Sequence, residues 1–292
     1  GTLDLVGDDI LSGALTVDGT GTAKLSASGH NAMDGLTALT IQNGGTYSDN
    51  STADLVHTVS AAITFNNGGT MTSEGAADGN SGFGGFLYNN GINVTGTGLA
   101  TINANRIGFA FAETVTVEDT VAGSGTDLLI SSSIRPNWEG LITKAGAGTM
   151  ELTGTNTDTA PWSISAGTLK IGGAGTLQSG SYANTIANNS AFVYNSSTDQ
   201  TMSGVISGTG TLTKDNASTL TLSGSNTYSG GTTVDGGVLK LGNNSALGST
   251  AGATTVSSGA ELDGASFDPT SGENFTISGT GRDGAGGRGA LY

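Results

Sequence analysis

Residues Leu212 to Gly242 read LTKDNASTLTLSGSNTYSGGTTVDGGVLKLG, and the fold follows from them. Two short runs, Thr219-Leu220-Thr221-Leu222-Ser223 and Val238-Leu239-Lys240-Leu241, alternate apolar and polar residues. In an extended strand neighbouring side chains point to opposite faces. Leu220 and Leu222 therefore share an inner face, with Thr219, Thr221 and Ser223 towards water. Leu239 and Leu241 are expected inside, with Val238 and Lys240 outside. Between the runs, Ser229-Gly230-Gly231 and Asp235-Gly236-Gly237 offer turn positions that need positive φ. Neither run is long or apolar enough to fold alone. Each needs neighbours of its own kind.

The chain supplies them. Moved back by 70 residues (212 − 142), the stretch falls on Ile142 to Gly172 without a gap. Thr143-Lys144, Thr149, Leu152, Gly154, Asn156-Thr157, Gly167, Leu169-Lys170 and Gly172 are identical to their partners. Met150 stands for Leu220, Ile164 for Val234 and Ile171 for Leu241, so the inner face is kept. A looser copy opens the chain, with Thr2-Leu3-Asp4-Leu5, Leu15-Thr16-Val17-Asp18-Gly19 and Ala23-Lys24-Leu25. Self-similarity at a fixed period is the mark of a repeat architecture.

Composition points the same way. Glycine accounts for 51 of 292 residues and proline for 3, and 11% of residues are charged. No window shows helical periodicity with a cap. Glycine without a three-residue period excludes collagen, and the 35% of hydrophobic residues fall in two-residue alternation rather than the scatter of a disordered chain. The expected fold is all-β: a parallel, right-handed β-helix or β-solenoid built from repeats. Right-handedness is what parallel connections prefer. With coils of roughly 20–25 residues stacked about 4.8 Å apart, the chain makes about 12–14 coils in a rod roughly 60 Å long.

In chain order, residues 1–292 read as one solenoid segment of a longer repeat protein. The copies lie at about 1–46, 142–194 and 212–265, and residues 47–140 are divergent coils. Ile206-Ser207-Gly208-Thr209-Gly210 recurs as Ile277-Ser278-Gly279-Thr280-Gly281, so a further copy is expected to begin near 277. The segment around Phe109, Phe111 and Trp138 is the least repeat-like and is expected to form a loop or bulge. Gly1-Thr2-Leu3 opens inside a strand pattern, with no basic and apolar leader.

Leu220 to Val234, LTLSGSNTYSGGTTV, followed by Gly236-Gly237-Val238-Leu239-Lys240-Leu241-Gly242, resembles the passenger-associated transport repeat of bacterial autotransporters. The likeness is strong in residues 212–242, clear in 142–172 and partial in 1–46. The 142–172 copy departs from it at Ala160-Pro161-Trp162, where the turn must be built differently. The resemblance implies a right-handed parallel β-helix displayed outside the cell as a stalk or adhesin. It carries no catalytic residues.

Several function classes are closed by composition. The absence of cysteine removes disulfides, thiolate metal sites and a cysteine nucleophile. A net charge of −15 with nine scattered cations argues against nucleic acid and anionic membranes. No apolar run is long enough for a transmembrane helix, so no membrane insertion is expected of this segment. Gly279-Thr280-Gly281-Arg282-Asp283-Gly284 matches GxGxxG in letters, but a dinucleotide site needs a strand before it and a helix after it, and Gly286-Gly287-Arg288-Gly289 is no helix. His30 and His57 are the only histidines, and neither has a partner at metal-ligand spacing.

Carboxylates remain the best candidates for chemistry, since glycosidases place two of them across a sugar. Glu261 and Asp263 would share a strand face, whereas Glu118 and Asp119 would diverge. Asp8-Asp9, Glu74 and Asp78 fall in turns. Gly172-Gly173-Ala174-Gly175-Thr176-Leu177 lacks the aspartate of calcium-binding nonapeptide repeats. Trp138, Trp162, Tyr182, Tyr194 and Tyr228 would make a sugar-stacking strip if they aligned, although packing over turns and ends is the commoner use of such residues. Asn66-Asn67, Asn89-Asn90, Asn188-Asn189 and Asn243-Asn244 suggest side-chain ladders between coils. No catalytic, cofactor or metal residues are assigned, no cofactor is expected, and the chain is not expected to be an enzyme. The expected function is a structural or adhesive extracellular stalk at the bacterial cell surface. Its expected partners are cell-surface glycans or proteins, or copies of itself. A self-assembling fibre is the alternative, and a polysaccharide-processing enzyme stands third.

Overall fold

The computed structural model describes residues 1–6, 11–26, 35–49, 56–73, 85–123, 125–135, 139–268, 272–281 and 290–291. They form two compact units, Gly1–Ala160 and Pro161–Tyr292. Each is a β-solenoid in which all described strand pairs are parallel. The described residues hold no α-helix, only a three-residue 3-10 turn at Gln178–Gly180.

In the first unit three series of strands wind round a common core. Seven strands make the first: Thr2–Leu5, Thr22–Leu25, Thr46–Asp49, Gly69–Ser73, Ala100–Asn103, Leu128–Ile130 and Thr149–Leu152. Six make the second: Gly13–Asp18, Leu36–Gln42, Ile63–Asn66, Ile92–Thr95, Phe111–Val117 and Glu139–Ala145. The third has four: Val56–Val59, Gly85–Tyr88, Arg106–Phe109 and Ser133–Ile134. Register turns the alternation of each run into columns. Ala23, Tyr47, Met71, Ile102, Ile130 and Leu152 stack coil on coil, all buried. Each large member of such a column contributes about 1.5–3 kcal/mol through burial. The rings of Tyr47, Phe86, Tyr88 and Phe109 widen this core, with centroids 5.7–6.4 Å apart.

The divergent residues 47–140 have longer coils. Ile63 pairs with Ile92, 29 residues on, and Gly69 with Ala100, 31 residues on, against 20 from Thr2 to Thr22. The expected irregularity at Phe111 is present: the register shifts between Phe111 and Glu113, and Phe111 has φ +61° with its ring exposed. Phe109 is buried, and Trp138 lies outside the described residues.

The second unit repeats the plan with Trp162–Ile164, Ile186–Asn188 and Ile206–Ser207 in a three-strand series. A five-strand series follows: Ser181–Tyr182, Gln200–Met202, Thr219–Leu222, Val238–Leu241 and Glu261–Asp263. The remaining six are Thr168–Ile171, Ala191–Tyr194, Thr211–Lys214, Thr232–Val234, Thr254–Val256 and Phe275–Ile277. The two runs that decide the fold are stacked neighbours, Leu220 against Leu239 and Leu222 against Leu241. Both pairs are buried, as the alternation requires. Val238, expected outside, is 8% exposed, and Lys240 does face water. Val238 sits between Thr219 and Glu261 in register, so neighbouring coils cover it from both sides.

The three-strand series ends at Ser207, yet that side of the solenoid continues without strand geometry. Thr227 N–H donates to Ile206 O at 2.9 Å, Ser229 N–H to Gly208 O at 2.9 Å, and Ser249 N–H to Tyr228 O at 2.9 Å. From Leu222 the chain crosses this side as a loop and re-enters a strand only at Thr232. The 70-residue period therefore spans three coils plus one side. Trp162–Ile164 lies in the three-strand series, but its counterpart Thr232–Val234 lies in the six-strand series. Thr168–Ile171 and Ala191–Tyr194 lie in the six-strand series, and their counterparts Val238–Leu241 and Glu261–Asp263 in the five-strand series. The recurring Ile-Ser-Gly-Thr-Gly follows the same rule. Ile206 is buried in the three-strand series, while Ile277 is exposed in the six-strand series.

Candidate functional site

The residues that the two clear copies share converge on one corner, which starts from a lysine. In Ile142-Thr143-Lys144 and Leu212-Thr213-Lys214 the lysine has the parity of the apolar residue two before it, so a strand points it inward. Lys214 stands in the column Ile171, Tyr194, Lys214, Val234, Val256. Lys144 stands in the column Leu15, Leu39, Ile63, Ile92, Val115, Lys144. Both are fully buried. A buried ammonium is tolerable only when its donors are matched. Lys214 Nζ donates to the carbonyls of Asp215 (2.6 Å), Asn216 (2.8 Å) and, one coil on, Gly236 (3.1 Å). Lys144 Nζ donates to those of Ala145 (3.0 Å) and Gly146 (2.8 Å). The second acceptor is left-handed in both copies, Gly146 at φ +77° and Asn216 at φ +66°. That conformation turns successive carbonyls towards the interior.

Charge surrounds each corner. Burial lowers the Lys144 ammonium to about 8, against the opposing pull of Asp127 and Glu118. Asp127 is itself held: Oδ1 accepts from Thr120 N–H (2.7 Å), Val121 N–H (2.6 Å) and the Thr120 hydroxyl (3.0 Å), and Oδ2 from Thr149 N–H (2.7 Å). Outside the Lys214 corner, Asn195 Nδ2 donates to Asp215 Oδ2, and the Ser257 hydroxyl to Asp235 Oδ1 at 2.7 Å.

A second shared residue, Asn156 or Asn226, works as a piece of backbone. Asn226 Oδ1 accepts from Ile206 N–H at 2.8 Å while its Nδ2 donates to Ala246 O at 2.6 Å, so one amide links three coils across the strand-free side. Asn156 Oδ1 accepts from Ile134 N–H at 2.9 Å in the same way. The copies differ beside it. Tyr228 and Thr232 share a buried hydrogen bond of 2.6 Å, and the corresponding positions hold Asp158 and Trp162, both buried. The expected asparagine ladders run between coils. Asn67 Nδ2 reaches Asn43 Oδ1 at 3.0 Å, and Asn43 Nδ2 reaches Asp18 Oδ1 at 2.7 Å. Asn90 and Asn188 bond Ser60 O and Thr211 O.

The candidates for chemistry are not brought together. Glu261 and Asp263 do share a face, opposite Leu262, but they are 4% and 8% exposed. Asp263 Oδ1 accepts from Ala265 N–H and its Oδ2 lies 3.8 Å from Lys240 Nζ, so the pair is walled off from a polysaccharide. Glu118 and Asp119 are both exposed. Asp8, Asp9, Glu74, Asp78, His30 and the stretch 282–289 lie outside the described residues, and His57 falls on strand Val56–Val59. Gly279 and Gly281 take positive φ in a bend. Among the described residues no group of three metal-ligating side chains occurs. The sugar-stacking strip is corrected: Trp162, Tyr182, Tyr194 and Tyr228 are buried, because a thin column needs their volume more than its surface does. Burial pushes the Tyr194 hydroxyl up to about 12, with Asp199 raising it further against the Ser196 hydrogen bond.

Residues 142–171 and 212–241 each match the family model described as Passenger-associated-transport-repeat. These are the segments that carry the buried lysine and the bridging asparagine. No curated protein and no solved structure matches the chain.

Proposed function

We propose that this chain, which bears two copies of the Passenger-associated-transport-repeat, is part of an autotransporter passenger displayed or released outside the cell, where it serves as a structural and adhesive stalk. The observation that carries the reading is the coincidence of the matched segments with solenoid coils whose shared residues are all spent on the interior and its corners. Side chains used in this way build a scaffold. Its proposed partners are surface glycans or proteins, or further copies of itself, met through broad polar faces. Immobilised protein incubated with intact cells and with polysaccharides tests this. Retention of cells or glycans without release of new reducing ends is the expected result. Polysaccharide cleavage that disappears in Glu261→Gln or Asp263→Asn would replace the reading with an enzymatic one.

A further inference from the structure

We propose that the buried lysine in each copy of the repeat, Lys144 and Lys214, is a register key: it specifies which residues of successive coils pair, by demanding carbonyl acceptors that only one pairing supplies. The need for such a key follows from the columns. Parallel strands with a two-residue side-chain period keep their apolar face when one coil slides by two residues. If Thr211–Lys214 slid against Thr232–Val234, Leu212 would come opposite Val234, and both would remain inward. Apolar packing therefore distinguishes the two pairings weakly. Lys214 distinguishes them strongly. Two of its hydrogen bonds stay within its own turn, but the third crosses to Gly236 O on the next coil at 3.1 Å. After a slide that acceptor moves away, and a charged donor is left short in a dry interior, which costs more than a neutral mismatch.

The burial of a cation where a valine would pack also fits a role in specificity. Replacing buried ionic groups by apolar ones is often neutral or stabilising, and fixing register is the best-attested use of a lone polar group in an apolar seam. The key is built twice. Lys144 occupies the corresponding place, at full burial, with the same two turn acceptors and a left-handed second acceptor.

Because the chain has no cysteine, paired cysteines can report register directly. Thr213 and Thr233 are register partners on the outer side of their strands, and Thr211 is one outward position away. The full chain is refolded from denaturant and oxidised, carrying either Thr213→Cys with Thr233→Cys or Thr211→Cys with Thr233→Cys. In the parent background only the first pair is expected to crosslink. With Lys214→Met the chain stays folded by circular dichroism, and crosslinking of the Thr211 pair rises about tenfold or more, the factor equivalent to one unmatched charged donor. Lys214→Arg, which keeps a charged donor, holds that crosslink near the parent level. Three results would overturn the proposal. They are a Lys214→Met chain that keeps the native pairing alone, a Lys214→Met chain that no longer folds, and an arginine variant that slides as freely as the methionine one.

Discussion

Lys144 has a measurable signature of its burial. Its folded value of about 8 lies below the ordinary 10.5, so the charged form is penalised in the folded state. At pH 8 and below both states are mostly protonated and the whole penalty is present. Between about 8 and 10.5 the unfolded chain keeps a proton that the folded chain has shed, so stability rises with pH there. From pH 8 to 9.5 the parent should gain about 1–2 kcal/mol relative to Lys144→Met in denaturant titrations, at 1.36 kcal/mol per unit. A parallel pH dependence in the two proteins would show that the ammonium is well solvated. Glu113 works in the opposite direction. Burial raises it against the Gly91 N–H bond, so its burden is felt above its folded value and lifts as pH falls through it. At this scale the sequence was readable where parity was followed. Leu212 and Lys214 have the same parity, which already places the lysine inside, yet a charged residue reads as surface by habit. Val238 misleads for the opposite reason: its parity is outward, and only the neighbouring coils bury it.

Coils succeed one another through backbone contacts that tolerate few changes. Gly154 and Gly224 occupy the same place in the two copies. A Cβ on Gly154 would press on Ser132 O, and one on Gly224 on Gly204 O. Gly224→Ala should therefore destabilise the second unit by about 1–3 kcal/mol, the cost of overpacking a close contact. Asn226→Ala strands Ile206 N–H and Ala246 O at once. A loss of about 2–4 kcal/mol in chemical denaturation is expected, since each buried unmatched group costs about 1–3. A loss below 1 kcal/mol would mean that water replaces the amide. Asparagine-rich turns were legible as ladders because the side chain can mimic a peptide group. What could not be read was the side of the solenoid on which each copy falls. The 70-residue period counts residues, whereas the side depends on whether the stretch after Leu222 forms a strand or crosses as a loop. The three-coils-plus-one-side relation follows from that loop alone.

Over the whole molecule, function is carried by surfaces whose composition is polar and acidic, with a net charge of −15. Such a charge opposes non-specific self-association and makes binding to cationic partners sensitive to salt. Retention by cells through charge should fall steeply between low salt and physiological salt, while retention through neutral glycan contacts should not. The aromatic residues that a glycan-binding face would use are largely in the core, which the sequence did not disclose because a tyrosine reads alike in a column and on a surface. The reading as a passenger rests on two short matched segments and on coils that agree with them. Labelling intact, unpermeabilised cells of the source organism with an antibody raised against residues 1–292 tests it most directly. The account expects label at the cell surface or antigen in the medium, removable by added protease. Antigen found only after lysis, and protected from protease until then, would contradict it.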